Sequence, residues 1–256
     1  MSILLPKEVT GPSRKNPSKL IMFSSPKSGK TEALSRLPNN LILDLEKGSG
    51  FVSGLKINIV EEAEKQGIKP IIALKQVIDS ISEANKVKGS YVYKYISVDT
   101  VSALEDFYAP DLALKLYKNT PIGRNFQGES VLELPQGAGY YWLRLAMNMI
   151  LDELEDLCET LIISGHTKDK LAEFNGKEVN QRGLDLVGKM PAILCSKSDA
   201  ICYLYRKDNQ TIANFKTAET LSVGARPEHL KNQEIVLLEM NEKGEFITHW
   251  DKIFID

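Results

Sequence analysis

The sequence KLIMFSSPKSGKTEAL, residues 19–34, decides how the rest of the chain folds. Its first six residues form a short apolar run that predicts a buried strand, and the residues from Thr31 onward are typical of a helix. Between them, Gly29, Lys30 and Thr31 complete the spacing G-x-x-x-x-G-K-[ST] of a phosphate-binding loop, except that Ser24 stands in place of the first glycine. A strand before this motif and a helix after it favour nucleotide binding over an ordinary strand-to-helix turn.

Each residue of the motif has a chemical task. Backbone N–H groups of the turn and of the helix start converge on a β-phosphate, and Gly29 allows the close approach that a Cβ would block. Lys30 supplies a positive charge to the β- and γ-phosphates, and the Thr31 hydroxyl can bind Mg²⁺. The residues predicted to bind the nucleotide are Ser25, Pro26, Lys27, Ser28, Gly29, Lys30 and Thr31, with Lys30 also predicted to be catalytic.

Position 24 has a lighter task than the second glycine. It lies where the strand ends, before most of the phosphate-facing amides, so a small residue such as Ser24 can serve there. Pro26 lacks an N–H, but few donors are needed this early in the loop. We therefore expect Ser24 to act only through its size, and Ser24→Gly to change activity little.

The remaining pattern predicts an α/β fold with a mostly parallel central sheet flanked by helices, because strands alternate with helices along the chain. A loop or small excursion is expected at 119–139, and a bend at Pro110 in the helix after the third strand. The predicted strands are 19–24, 39–46, 93–99, 160–166, 198–206 and 211–217, and the predicted helices begin at 31, 70, 101 and 140. Two apolar runs separated by NEKG predict a C-terminal β-hairpin within 231–256.

The composition narrows the class of protein. The chain has 256 residues, a formal charge of −2 and an ordinary proportion of charged residues, so no overall basic field indicates nucleic acid. Three cysteines without C-x-x-C spacing are typical of a reducing compartment. We expect a cytoplasmic protein with a flexible basic N-terminal arm at 1–18 and one ATPase domain at 19–256, without a signal peptide or membrane span.

Polar residues at the ends of the other core strands complete a candidate catalytic site, since parallel sheets bind ligands at their carboxyl ends. Asp99 ends the strand YISVD and is expected to support Mg²⁺, although it can also cap the following helix. Asp44 and Glu46 end the second strand and point to one side, so either can orient or activate water, and the alternative is a merely solvated carboxylate. His166 ends the fourth strand and can contact a γ-phosphate or serve a structural role.

Residues 167–190 read as a loop with mixed charge. Five Lys or Arg oppose four Asp or Glu, a net charge of +1. A net charge of +1 is only weak evidence that this segment binds nucleic acid. The alternative is a solvated loop without a ligand.

Taken in order, five segments make the chain similar to the RecA superfamily of ATPases. It resembles most the short phage-type RecA-core proteins of the AAA-like NTP-binding family, which include single-strand annealing ATPases. The resemblance covers residue 18 to about residue 226 and departs from the family at Ser24, in the near-neutral 167–190 segment and in lacking a recombinase-like N-terminal oligomerisation domain. The segments are SSPKSGKTEAL, LILDLEKGS, YISVDTVSALED, GAGYYWLRLAMNMI and LIISGHTKDK.

The resemblance implies a role for individual residues. Glu46 matches the water-activating glutamate, Asp99 matches the Walker B aspartate, and His166 matches the polar residue that senses the γ-phosphate. Relatives also use a Lys or Arg from a late strand to reach ATP in the neighbouring subunit, for which Lys216 and Arg226 are the candidates, ahead of Arg206. The implied cofactors are ATP and Mg²⁺, and the implied partners are further copies of the chain, single-stranded DNA and a DNA-annealing or single-strand-binding protein.

Two other functions compete with a RecA-like ATPase of phage-type recombination or annealing. A small-molecule or nucleotide kinase usually needs an arginine-rich lid, whereas this chain has seven arginines and only Arg124 and Arg144 between residues 100 and 180. The second competing function is a non-catalytic nucleotide-binding module that assembles or regulates other proteins. The carboxylates of Glu46 and Asp99 argue against it, because they are the groups that catalysis requires. Turnover of ATP with and without single-stranded DNA separates the three.

Overall fold

The strand that precedes the phosphate-binding loop is the centre of the structure. In the computed structural model, which describes residues 5, 7–174 and 176–256, this strand is buried along its whole length. The strands are β1 (Lys19–Ser24), β2 (Asn40–Asp44), β3 (Lys56–Asn58), β4 (Tyr95–Asp99), β5 (Thr160–Phe174), β6 (Lys177–Leu184), β7 (Ala200–Lys207), β8 (Gln210–Asn214), β9 (Gly224–Ala225), β10 (Glu234–Met240) and β11 (Phe246–Thr248).

Helices connect the strands and cover the sheet. A π-helical turn at Leu104–Tyr108 connects the α-helices Val101–Ala103 and Ala109–Lys118. Near the C-terminus, Trp250–Lys252 forms a short 3₁₀ helix. The α-helices are α1 (Lys30–Ser35), α2 (Ile59–Gln66), α3 (Pro70–Lys88), α4 (Val101–Ala103), α5 (Ala109–Lys118), α6 (Ala138–Glu155) and α7 (Met190–Lys197). None of the helices in the described residues is both long and apolar enough to span a bilayer.

The main sheet has the order β11-β10-β8-β7-β1-β5-β4-β2-β3. The strands from β7 to β3 run parallel to their neighbours, whereas β8, β10 and β11 extend the sheet in antiparallel fashion. The predicted α/β fold, with a mostly parallel sheet, flanking helices and a C-terminal hairpin, is confirmed. The carboxyl ends of β1, β2 and β4 therefore meet at one edge of the sheet, beside His166 in the middle of β5.

Alternation along β1 divides the core into two layers. Ile21 and Phe23 pack in the cluster that includes residues of α2, α3, α5 and α6. Leu20 and Met22 face the other way, into a cluster that includes α1 and Trp250. Because both faces of β1 are buried, the loop that follows it starts from a fixed position.

The predicted loop at 167–190 is wrong, because the structure forms a β-hairpin and a helix there. β5 continues past His166 to Phe174 and pairs with β6, and α7 follows from Met190. Many hairpin side chains are exposed or half-buried, so the strands lack the apolar alternation by which a strand is recognised in a sequence. The pair Asn175-Gly176 is a hairpin signal that the sequence did contain, and Gly176 has a φ of 76°.

Three further differences concern shorter elements. No pattern in the sequence predicted β3, α2 or β9. The irregularity expected at Pro110 lies just before it, in the π-helical turn, because Pro110 occupies the first turn of α5, where no N–H is required.

Of the predicted arm at 1–18, residues 1–4 and 6 lie outside the described residues, and Asn16 donates a 2.5 Å hydrogen bond to the carbonyl of Ile255.

Trp250 joins the C-terminal segment to α1. Its side chain is 4% exposed and its indole N–H donates a 2.9 Å hydrogen bond to the carbonyl of Ala33. We predict that Trp250→Ala lowers the free energy of unfolding by about 3–5 kcal/mol, because it removes this bond and leaves a cavity. Urea unfolding followed by circular dichroism measures the loss. The control is Phe51→Ala, at a fully exposed aromatic residue, and an equal loss in both variants would contradict the prediction.

Candidate nucleotide-binding site

The loop between β1 and α1 is shaped by two residues with left-handed backbone conformations and by a hydrogen bond from β8. Lys27 and Gly29 have φ values of 62° and 91°. A Cβ on Gly29 would lie 3.0 Å from Thr211 Oγ1, which itself donates a 3.1 Å hydrogen bond to the carbonyl of Ser28. Gly29 is therefore required both for its backbone conformation and for the space that Thr211 occupies.

The side chain of Lys30 is drawn into the loop. It is 8% exposed, and its ammonium donates a 2.7 Å hydrogen bond to the hydroxyl of Ser24. Burial lowers the pKa of Lys30, while the carboxylates of Asp99 and Glu46 act in the opposite direction. The loop thus holds a cation at the position where the motif places the β- and γ-phosphates.

Asp99 joins three elements at the centre of the site. It receives a 2.7 Å hydrogen bond from the hydroxyl of Thr31 and a second from the hydroxyl of Ser164 on β5. Burial raises the pKa of Asp99, and both hydroxyls and Lys30 oppose this effect. The sequence analysis did not single out Ser164 as a site residue, although strand alternation places it on the same face as His166.

Asp44 and Glu46 have different surroundings. Asp44 is 1% exposed, and its carboxylate accepts hydrogen bonds of 2.8–3.1 Å from the N–H groups of Glu46, Gly48 and Ser49, and one from the Ser49 hydroxyl. Burial raises the pKa of Asp44, but these hydrogen bonds outweigh it, so the pKa lies below its ordinary value. Asp44 therefore folds the loop that carries Glu46.

Glu46 extends toward the phosphate-binding loop. Its Oε1 accepts a 2.6 Å hydrogen bond from the hydroxyl of Thr100 and lies 3.3 Å from Nε2 of His166. Thr100 follows a cis peptide bond after Asp99 and also caps α4 through the N–H of Ala103. The sequence analysis missed Thr100, since a hydroxyl beside an aspartate carries no distinctive signal.

These residues surround a single cavity of about 320 Å³. One wall is the loop, and the opposite wall is formed by the ends of β2, β4 and β5. The lining residues are Pro26, Lys27, Ser28, Gly29, Lys30, Thr31, Glu32, Asp44, Glu46, Gly48, Asp99, Thr100 and His166. The structure thus brings together nearly all the residues predicted within one chain, although Ser25 is not among the lining residues.

The cations predicted to act across a subunit boundary do not line this cavity. The ammonium of Lys216 lies 2.6 Å from the carboxylate of Glu234. Arg226 lies 3.0 Å from Asp199, which precedes β7 at the edge of the sheet opposite the loop. Arg206 pairs with Thr211 and so lies at the same edge as the loop.

Comparison with known proteins identifies the family. The family model described as "AAA domain" matches residues 16–228, most of the chain, so the chain belongs to this family. A search of curated proteins found no significant match. The expected membership of an AAA-like NTP-binding family is confirmed, while the phage-type relationship stays a proposal.

Solved structures were compared as well. The crystal structure of the RadB recombinase is 15% identical, with a TM-score of 0.40 and 90% of each chain covered. A KaiC-like protein from the hyperthermophilic archaeon Pyrococcus horikoshii OT3 is 11% identical, with a TM-score of 0.42, 91% of this chain covered and 89% of the other.

The Asp44 network predicts a measurable change in backbone protection. Asp44→Asn keeps the size of the side chain but removes the charge from its three backbone hydrogen bonds, each of which contributes about 1.5–3 kcal/mol when one partner is charged. We expect the amides of Glu46, Gly48 and Ser49 to exchange with deuterium at least about tenfold faster. The control is Asp251→Asn, at an exposed position, and unchanged exchange in Asp44→Asn would contradict this role.

Proposed function

We propose that this member of the AAA domain family binds ATP with Mg²⁺, hydrolyses it, and acts as an oligomer in phage-type DNA recombination or single-strand annealing. The observation that carries the proposal is the 2.7 Å hydrogen bond from Thr31 to Asp99 inside a cavity that also holds Lys30 and Glu46. A hydroxyl from the loop and a carboxylate from β4 meet where a nucleotide-bound cation is required. We propose the cytoplasm as its location, that of the host if a phage encodes it.

The residues of the cavity fit Mg²⁺ and a polyphosphate. Mg²⁺ prefers oxygen ligands and is usually bound through one or two carboxylates together with substrate phosphates, and Thr31 and Asp99 supply such oxygens. When bound, Mg²⁺ neutralises charge on the β- and γ-phosphates. Lys30 adds a second positive charge there, and the backbone of residues 25–29 forms the turn around the phosphates.

Glu46 is proposed as the group that accepts a proton from the attacking water. Its Oε1 is held by Thr100 and contacts His166, while its carboxylate lines the cavity opposite the loop. Asp44 is proposed to hold the Glu46 loop and not to act as the base, because its carboxylate is occupied by backbone N–H groups. His166 is proposed to sense the γ-phosphate, since it belongs to the strand that leaves the cavity.

The link to single-stranded DNA rests on the β5–β6 hairpin. The strand that carries His166 continues into the hairpin, so the cavity and the hairpin share one backbone. The hairpin includes four cations, but Arg182 lies 2.8 Å from Asp169 and Lys168 lies 3.2 Å from Asp185. We therefore propose modest, salt-sensitive DNA binding that depends on several copies of the chain or on a DNA-annealing or single-strand-binding partner.

Hydrolysis of ATP by three proteins tests the proposed activity. We expect the wild type to hydrolyse ATP with Mg²⁺, and single-stranded DNA to change the rate. Lys30→Ala should lose nucleotide binding, because the charge partner of the phosphates is removed. Glu46→Gln should keep binding but lose hydrolysis by about 10²-fold or more, the scale of general-base catalysis.

Two results would contradict this assignment. Normal hydrolysis by Lys30→Ala would exclude the loop as the nucleotide site, and normal hydrolysis by Glu46→Gln would place the base elsewhere. Lys243→Ala, in the turn of the C-terminal hairpin, is the control, because it removes an exposed lysine that does not line the cavity. Transfer of phosphate to a small acceptor in place of water would indicate a kinase.

A further prediction concerns the residue supplied by a neighbouring copy. The cations that line the cavity, Lys27 and Lys30, both come from the loop, and a residue supplied in trans can add orders of magnitude in rate. We expect Lys216→Ala or Arg226→Ala to be inactive alone and to regain part of the ATPase activity when mixed with inactive Lys30→Ala. Such a residue would have to exchange its own partner, Glu234 or Asp199, for the neighbour's nucleotide.

Mixing is informative only if mixed oligomers form, which native mass spectrometry with ATP and DNA can establish. ATPase activity recovers only at an interface where one subunit supplies an intact phosphate-binding loop and its neighbour supplies an intact Lys216 or Arg226. A strictly monomeric protein, or no recovery in mixed oligomers, would refute action in trans.

A further inference from the structure

The hydroxyl of Ser24 lies at the centre of a small hydrogen-bond network beneath the loop. Ser24 is fully buried. Its hydroxyl donates a 2.9 Å hydrogen bond to the carbonyl of Ser25, and it accepts one of 2.7 Å from the ammonium of Lys30 and another from the hydroxyl of Ser28. A serine hydroxyl has one hydrogen to donate and two lone pairs, so its capacity is fully used.

The motif has glycine at this position, and glycine offers no side-chain acceptor. Without the Ser24 hydroxyl, the ammonium of Lys30 would lose a neutral acceptor at a site where it is 8% exposed. An ammonium has three N–H donors. One is directed to Ser24, which leaves two for oxygens in the cavity.

We propose that Ser24 is a positioning residue that fixes the ammonium of Lys30 for the β- and γ-phosphates of the nucleotide. This inference rests on the proposed function, because it concerns the same site. It replaces the expectation that position 24 matters only through its size. The residue that departs from the motif therefore contributes to binding in this chain.

The backbone of the loop is held by other contacts. Lys27 and Gly29 adopt left-handed conformations, and Thr211 donates to the carbonyl of Ser28. Two of the three hydrogen bonds of Ser24 are to side chains, those of Lys30 and Ser28. Loss of its hydroxyl should consequently affect the lysine more than the path of the chain.

The test measures the Kd of a fluorescent ADP in the presence of Mg²⁺, and KM and kcat for ATP, in Ser24→Ala and Ser24→Gly. We expect the Kd and KM to rise about tenfold, because a hydrogen bond to a charged group is lost, with a smaller change in kcat. The control is Ser198→Ala, which removes another buried hydroxyl, one that donates to the carbonyl of Leu194 outside the cavity. This control should change the thermal midpoint of unfolding but not the Kd.

Nucleotide affinity within twofold of the wild type in Ser24→Ala and Ser24→Gly would overturn the inference, as would a loss confined to kcat. If both variants fail to fold, Ser24→Cys provides the test, because a thiol has similar size but is a much weaker acceptor. An unchanged Kd in Ser24→Cys would then refute the role of the hydroxyl. Failure of the wild type to bind ADP would instead refute the proposed function itself.

Discussion

The two hydrogen bonds that Asp99 accepts are the interaction on which the site depends. One comes from Thr31 at the start of α1 and the other from Ser164 on β5, so this carboxylate joins the phosphate-binding loop to two neighbouring strands. The sheet makes this possible, because β1 and β4 both pair in parallel with β5 and end at the same edge. A carboxylate this deeply buried would be costly without such partners.

The loop depends on the far end of the chain as well as on its own residues. Thr211, at the start of β8, donates to the carbonyl of Ser28 and occupies the space where a Cβ of residue 29 would lie. Trp250 holds α1 from the other side through Ala33. A motif of eight residues is thus supported by strands and turns that follow it by about two hundred positions, which is why a local match alone does not guarantee a formed site.

The fold and the centre of the cavity were readable from the sequence, because apolar runs fixed the parallel strands and their polar ends fell at one edge. Strand alternation could not predict which of Asp44 and Glu46 faces the attacking water, because it points both side chains to the same side. Three N–H groups that turn back onto Asp44 are the reason we propose Glu46 as the base, and such a loop has no periodicity that a sequence could show. The hairpin was missed because solvated strands lack an apolar pattern. The contacts of the Thr100 and Ser24 hydroxyls were missed because they depend on how distant segments meet in the fold.

The length of β5 has a mechanical consequence. The eight residues from Thr167 to Phe174 continue the strand beyond His166, which at about 3.3 Å per residue is a lever arm of roughly 25 Å. Its base is held by two contacts of His166, because the N–H of Asp185 donates to the carbonyl of His166 and the N–H of His166 donates to the hydroxyl of Ser102. For a strand of this length held at its base, a small change in angle beside the cavity corresponds geometrically to a much larger displacement at the tip.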